Sequence, residues 1–148
     1  DRRWLTPEVE ALLAEGRTVM VADLRGFAET STSYFRFYGC PDADEDHAML
    51  HYWLGENLVA KRAEDLILAA RKLSRLCGGA KVEVIASGRA AIPAAHARFA
   101  APDLLSGVRV KDAPLSWKAL LADPQAPYRF ANVVHGAYRH YDWTDLLK

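Results

Sequence analysis

The chain has 148 residues, 51% of them hydrophobic and 26% charged, which fits one globular domain with a core of its own. Its 19 basic residues balance its 19 acidic ones, so the zero formal net charge favours neither nucleic acid nor an anionic membrane surface as a partner. No apolar run approaches the roughly 20 residues that a membrane span needs.

Asp1-Arg2-Arg3-Trp4 has no apolar signal-peptide core and no initiator methionine, and reads as a cut or processed end. A helix start follows at Thr6-Pro7-Glu8, with an N-cap threonine, proline at the first position and acids in the first turn. The helix runs through Val9, Leu12 and Leu13, and Gly16 closes it. Val19-Met20-Val21-Ala22 predicts a short strand buried on both faces of a parallel sheet. Asp23 to Thr30 leaves it as a loop. Residues 31–46 hold serines, aromatics, Gly39, Pro41 and four acids, and predict a long irregular excursion of the kind that often carries function.

Helical signals return near His47 and are clearest from Lys61 to Leu76, with Leu66, Ala69, Ala70, Leu73 and Leu76 on one stripe. Gly78-Gly79 end that helix. Val82 to Ile85 predicts a strand, residues from about Ala91 to Ala100 a helix, and Gly107 to Asp112 an alternating strand nearer a sheet edge. Ser116 to Leu121 reads as a serine-capped helix. The tail, from Asn132 to Gly136 and Tyr141 to Leu147, reads as a loop and a helical turn. Strands alternating with helices predict one α/β domain over 1–148, three-layered, with a mostly parallel sheet. Cys40 and Cys77 do not make a disulfide scaffold and read as buried thiols, which leaves the redox compartment open.

The most informative stretch is Val82-Glu83-Val84-Ile85-Ala86-Ser87-Gly88-Arg89-Ala90-Ala91. An apolar strand, a small-residue turn and an alanine-rich helix have the layout of a nucleophile elbow, G-x-S-x-G. With the strand ending at Ile85, Gly88 holds the nucleophile's place. With Ser87 as the nucleophile, the flanking small positions become Ile85 and Arg89, both too bulky for close backbone approach.

Together with this elbow, Val19 to Thr30 looks like a strand and "D-x-R-G-x-G-x-[ST]" loop, and Tyr141-Asp142-Trp143-Thr144-Asp145-Leu146 is similar to a "Y-D-x-x-D-L" segment. In this order and spacing the three resemble the α/β-hydrolase superfamily, in its acetyl-xylan-esterase and dienelactone-hydrolase-like branch. The resemblance covers most of the chain. It implies a partial α/β-hydrolase fold without its first and last strands, no cofactor, and hydrolysis of plant-polysaccharide acetyl esters through an acyl-enzyme. An extracytoplasmic setting is implied by the resemblance alone. Ala28 stands where the family's loop has a second glycine, and Gly88 where it has the nucleophile. The family's oxyanion-hole strand would lie upstream of Thr6, and the strands bringing the catalytic acid and histidine beyond residue 148.

That upstream strand normally lies between residues 19–22 and 82–85. Its removal would leave unpaired backbone groups on both neighbours, at about 1–3 kcal/mol each when buried. The expectation is therefore that other polypeptide, of the parent domain or another chain, completes the sheet. A sharp cooperative unfolding transition of residues 1–148 alone would count against it.

Ser87 is the candidate nucleophile, or else a helix N-cap. Asp112, at a strand end, and Asp142, in the tail, are candidate catalytic acids, or else loop and cap carboxylates. Arg25, Gly88 and Arg89 are candidate binding residues: the amides of Gly88, Arg89 and Ala90 open a helix N-terminus, which favours anions. Arg25 and Asp23 are also suited to tie down their own loop. His47 and His51 lie four apart, on one helix face, and with Asp44 or Asp46 make a possible zinc set. Without an H-E-x-x-H pattern they read as a surface pair, and no metal is expected. His96 reads as a packing residue. Trp53, Trp117, Trp143 and the tyrosines suit either sugar stacking or ordinary packing. The readings carried forward are a catalytically degenerate, esterase-like scaffold or accessory half, a non-enzymatic small-anion or nucleotide-binding module, and a purely structural role.

Overall fold

The computed structural model describes residues 5–31, 43–123, 125 and 130–148. Helix α1 (Leu5–Ala14) carries Glu8 in its first turn, where a carboxylate complements the positive end of the helix. The Arg17 amide donates back to the Leu12 carbonyl at 3.1 Å and closes the helix past Gly16. Cys40, Tyr34, Tyr38 and most of the expected excursion lie outside the described residues. Its last residues, expected to be irregular, are helical instead: α2 (Ala43–Trp53) has Asp44, Glu45 and Asp46 in its first turn. Helix α3 (Leu58–Leu76) begins on Asn57, whose side chain accepts from the Ala60 amide and donates to the Val133 carbonyl, both at 3.1 Å.

Strand β1 (Val82–Ser87) and strand β2 (Leu105–Lys111) form a parallel pair, joined by α4 (Ala91–Ala100). Their register runs from Glu83 opposite Gly107 to Ser87 opposite Lys111. A short helix, α5 (Trp117–Ala122), and 3-10 turns at Ala137–Arg139 and Trp143–Leu147 complete the described chain. The fold is mixed α/β with a two-stranded parallel sheet.

The strand expected at Val19 to Ala22 does not form. Residues 17–24 belong to no helix or strand, and no backbone hydrogen bond ties Thr18 to Ala22 to another described residue. The reason is physical: a strand exists by its ladder, and no described residue lies beside this segment to supply one. A cleft of about 430 Å³ separates it from β1.

The core has two main clusters. Val59, Ala91, Ile92, Ala95, Trp117, Ala137 and Trp143 make the first, between α3, α4, α5 and the tail. Ala63, Ala70, Ala97 and Leu105 make the second, with Leu66, Val82 and Val84 packed on it. Small residues on α3 and α4 let the two helices approach closely over one face of the sheet. Of the predicted α3 stripe, Leu66, Ala69, Ala70 and Leu73 line the cleft, while Leu76 is exposed.

Candidate functional site

A strand, a glycine turn and a helix follow one another as expected, but β1 runs two residues past the expected end at Ile85, so the turn comes directly after Ser87. Ser87 ends β1 in extended conformation (φ −121°, ψ 147°), Gly88 turns the chain at φ +56°, and one 3-10 turn leads into α4. That left-handed turn suits glycine, yet an added Cβ at Gly88 would meet no atom within 4 Å. Space for a side chain at the apex therefore exists, and the reacting atom does not. Ser87 is no cap: its side chain makes no hydrogen bond to the helix start. None of the side-chain hydrogen bonds among the described residues joins it to a histidine either.

The loop after the cleft is pinned from several sides. Arg25 donates to both carboxylate oxygens of Asp65, at 2.6 and 2.8 Å, and its own amide adds a bond at 3.1 Å. The Arg25 guanidinium holds the Asp65 carboxyl below the usual carboxylate range. The Thr30 hydroxyl lies 2.9 Å from the Leu24 and Phe27 carbonyls. Gly26 sits at φ +77°, and a Cβ there would come within 2.8 Å of His47 Nδ1 and 2.9 Å of Arg62 Nη2, so any other residue would be strained and would have to displace one of these side chains. Ala28, at the position where the resemblance expects glycine, is forced to φ +39°. An alanine there stores of order 1–3 kcal/mol of backbone strain. Ala28→Gly is expected to stabilise the fold by about 1 kcal/mol after glycine's greater chain entropy is subtracted, read as a higher urea midpoint at unchanged slope.

The centre of this region is an ion cluster missed in the sequence. Asp44 and Arg62 are almost fully buried, 2% and 1% exposed. Arg62 donates to both Asp44 oxygens, at 2.6 and 3.1 Å, and Arg89 reaches the same carboxylate at 2.8 Å. Both guanidiniums also lie over the Phe27 ring, at 4.1 and 4.6 Å from its centroid. Arg62 Nε donates to the Arg25 carbonyl at 2.9 Å. One buried carboxylate thus binds α2, α3, the loop and the elbow together. A signal was present: Arg62 falls in line with Leu58, Val59, Leu66 and Ala70 on the inner face of α3.

Among the described residues neither candidate acid is hydrogen-bonded to Ser87 or to a histidine. Asp112 follows Lys111, the register partner of Ser87, and is exposed in a left-handed conformation (φ +45°) that aspartate tolerates. Asp142 caps α5 instead, accepting from the Trp117 amide at 2.9 Å and the Lys118 amide at 3.2 Å, beside the Ser116 cap. Arg25 and Arg89 each already hold a carboxylate, Asp65 and Asp44.

The histidines are engaged elsewhere. His51 Nδ1 is 2.9 Å from Glu56, and His47 packs against Gly26. No group of three or more metal-ligating side chains gathers among the described residues. His96 Nδ1 donates to the Ile92 carbonyl at 2.8 Å, which leaves Nε2 to accept from the Tyr141 hydroxyl at 3.0 Å. Burial pushes the pKa of both His47 and His96 below the ordinary histidine value of about 6.5. Folded, these rings bind fewer protons than unfolded, so their contribution is present above pH about 6.5 and lost as pH falls through their folded values. Urea midpoints are expected to fall between pH 7.5 and 5, and less steeply in His96→Gln.

Trp117 and Trp143 are core residues, closed to any sugar, whereas Trp53 is 62% exposed. A second cavity, of about 100 Å³ beside Tyr52 and His135, is well below the roughly 300–1,000 Å³ of small-molecule sites. Comparison of the chain with family models, curated proteins and solved structures gives no match.

Proposed function

We propose that this chain is the catalytically silent half of an α/β-hydrolase-type domain, three-layered when complete, that serves as scaffold or accessory surface. Polypeptide beyond the described sheet, from the parent domain or another chain, completes it. The ancestral reaction would be hydrolysis of a polysaccharide ester. The observation that supports this reading is Gly88 at the apex of a well-formed elbow: the turn, the helix start and the open space are kept, while the nucleophile is lost. The anion-binding reading has less support, because Arg25 and Arg89, the guanidiniums that would attract an anion, are already engaged with Asp65 and Asp44.

The test is hydrolysis of p-nitrophenyl acetate by the wild type, Ser87→Ala and Gly88→Ser. All three are expected to match the buffer rate, and Gly88→Ser to lose about 1 kcal/mol of stability to its left-handed backbone. A wild-type rate that Ser87→Ala abolishes would overturn the reading.

A further inference from the structure

The zero net charge of the whole chain hides an uneven distribution. Residues 66–82 hold four basic residues and no acidic one. Three of them, Arg71, Lys72 and Arg75, are exposed on the outer face of α3. Arg17, Lys61, Arg62, Arg89, Arg109 and Lys111 each pair with a carboxylate. None of the ion pairs among the described residues involves Arg71, Lys72 or Arg75. Glu64 and Asp65, the last acids before this stretch, are engaged with Lys61 and Arg25.

Leucines interleave with these cations. Leu68 is 61% exposed and Leu76 66%. Leu68, Lys72 and Leu76 follow one another at four-residue steps along the helix, with Arg71 and Arg75 alongside. The inner face of α3 is already used by the core, through Ala63, Ala70 and Ser74. Arg75, in the last turn, complements the negative end of the helix. That role does not reach Arg71 and Lys72, a turn earlier, and does not concern the leucines. The end of α4 lies near the end of this stripe. The Val82 amide donates to the Leu104 carbonyl at 2.9 Å and Lys81 Nζ to the Pro102 carbonyl at 3.3 Å, so the chain leaves α3 and α4 at one end of the strand pair. Phe99, 72% exposed in the last turn of α4, stands at that end.

The interleaving selects the partner. A nucleic-acid backbone matches the cations and leaves the leucines with nothing apolar to meet. A helix that lies on a bilayer keeps its cations apart from its apolar face. Here Lys72 stands between the two leucines, and its charge would be carried toward the acyl chains. Leu68 to Leu76 is two turns, about 12 Å. A partner helix laid along that line, with carboxylates and apolar side chains at three- and four-residue steps, meets each cation with an acid and each leucine with an apolar group.

We propose that the outer face of α3 from Leu68 to Leu76 is a docking surface for an acidic amphipathic helix of a partner protein. Its carboxylates would face Arg71, Lys72 and Arg75, and its apolar side chains Leu68 and Leu76. The surface shares no residue with the elbow, and goes beyond the silent-elbow reading without resting on it.

The experiment titrates the protein into a fluorescein-labelled helical peptide of Leu, Glu and Ala, about 14 residues long, and reads anisotropy at about 50 mM salt. Saturable binding is expected. Arg71→Gln/Lys72→Gln/Arg75→Gln should weaken it by about tenfold or more, and Leu68→Ser/Leu76→Ser by about threefold or more. Lys118→Gln/Arg139→Gln, which removes two exposed cations elsewhere, should leave it unchanged. All these side chains are exposed, so each variant should keep the wild-type Tm. No binding at about 1 mM protein, or equal binding by all variants, would overturn the proposal. Binding that the leucine variant leaves intact would overturn the amphipathic partner. Phosphatidylglycerol vesicles or a single-stranded oligonucleotide bound through the same cations, with the peptide not bound, would replace the protein partner by a lipid or nucleic-acid one.

Discussion

Replacing Arg62 with alanine is expected to cost about 3–5 kcal/mol, a large part of the stability of a domain this size. The loss comes from what stays behind. Asp44 is 2% exposed and would lose two of its charge-assisted bonds while keeping the one from Arg89. The Arg25 carbonyl would lose its donor, and Phe27 one of the two guanidiniums over its ring. Because Arg89 remains, the lower half of that range is the expected value. Asp44→Asn should be comparably damaging, since it sets two guanidiniums against a neutral amide. The double variant Asp44→Leu/Arg62→Met should cost less than the sum of the two single losses, because the two most deeply buried charges are then removed together. Urea unfolding of the three variants measures this, and additive losses would mean that the cluster does not act as a unit.

Trp117→Ala is expected to cost about 3–5 kcal/mol, by the cavity it opens. Trp117 is fully buried between α4 and the tail, its ring 5.8 Å from His96 and 5.4 Å from Tyr141. Its indole N–H donates to the Asn132 carbonyl at 2.8 Å, while its backbone amide is held by Asp142. The substitution should therefore loosen the whole tail from Asn132 to Leu147, visible as faster amide exchange there than in α3. Trp117→Phe keeps most of the volume and should cost less than half as much, the indole hydrogen bond being the main loss.

The helices were legible because their signals are local. Pro7 and Glu8 marked the first turn of α1, which begins at Leu5 and so holds the expected cap Thr6 inside it, the alanine-rich run from Ala91 gave α4 within its observed bounds, and Ser116 capped α5 as expected. The elbow was legible for the same reason, since a strand, a glycine and a helix start are neighbours in the chain. Val19 to Ala22 misled because apolarity specifies a strand's surroundings and not its partner. Four apolar residues are a strand only when a ladder lies beside them. The start of α2 at Ala43 was hidden by the acids, which read equally well as loop residues and as a helix's first turn. The Asp44–Arg62–Arg89 cluster was hidden by distance: its residues come from three separate elements, and no local pattern joins them. Asp142, in a motif suggestive of chemistry, proved to hold the start of α5.

The central claim is that the elbow is intact in shape and silent in chemistry. Fluorophosphonate labelling of the longest polypeptide that contains this chain, followed by peptide mapping of the adduct, tests it most directly. The account predicts no adduct within residues 81–91, including on Ser87, under conditions that label an authentic serine esterase to completion. Stoichiometric label on Ser87 would contradict it and make this segment a working esterase with an unusual elbow.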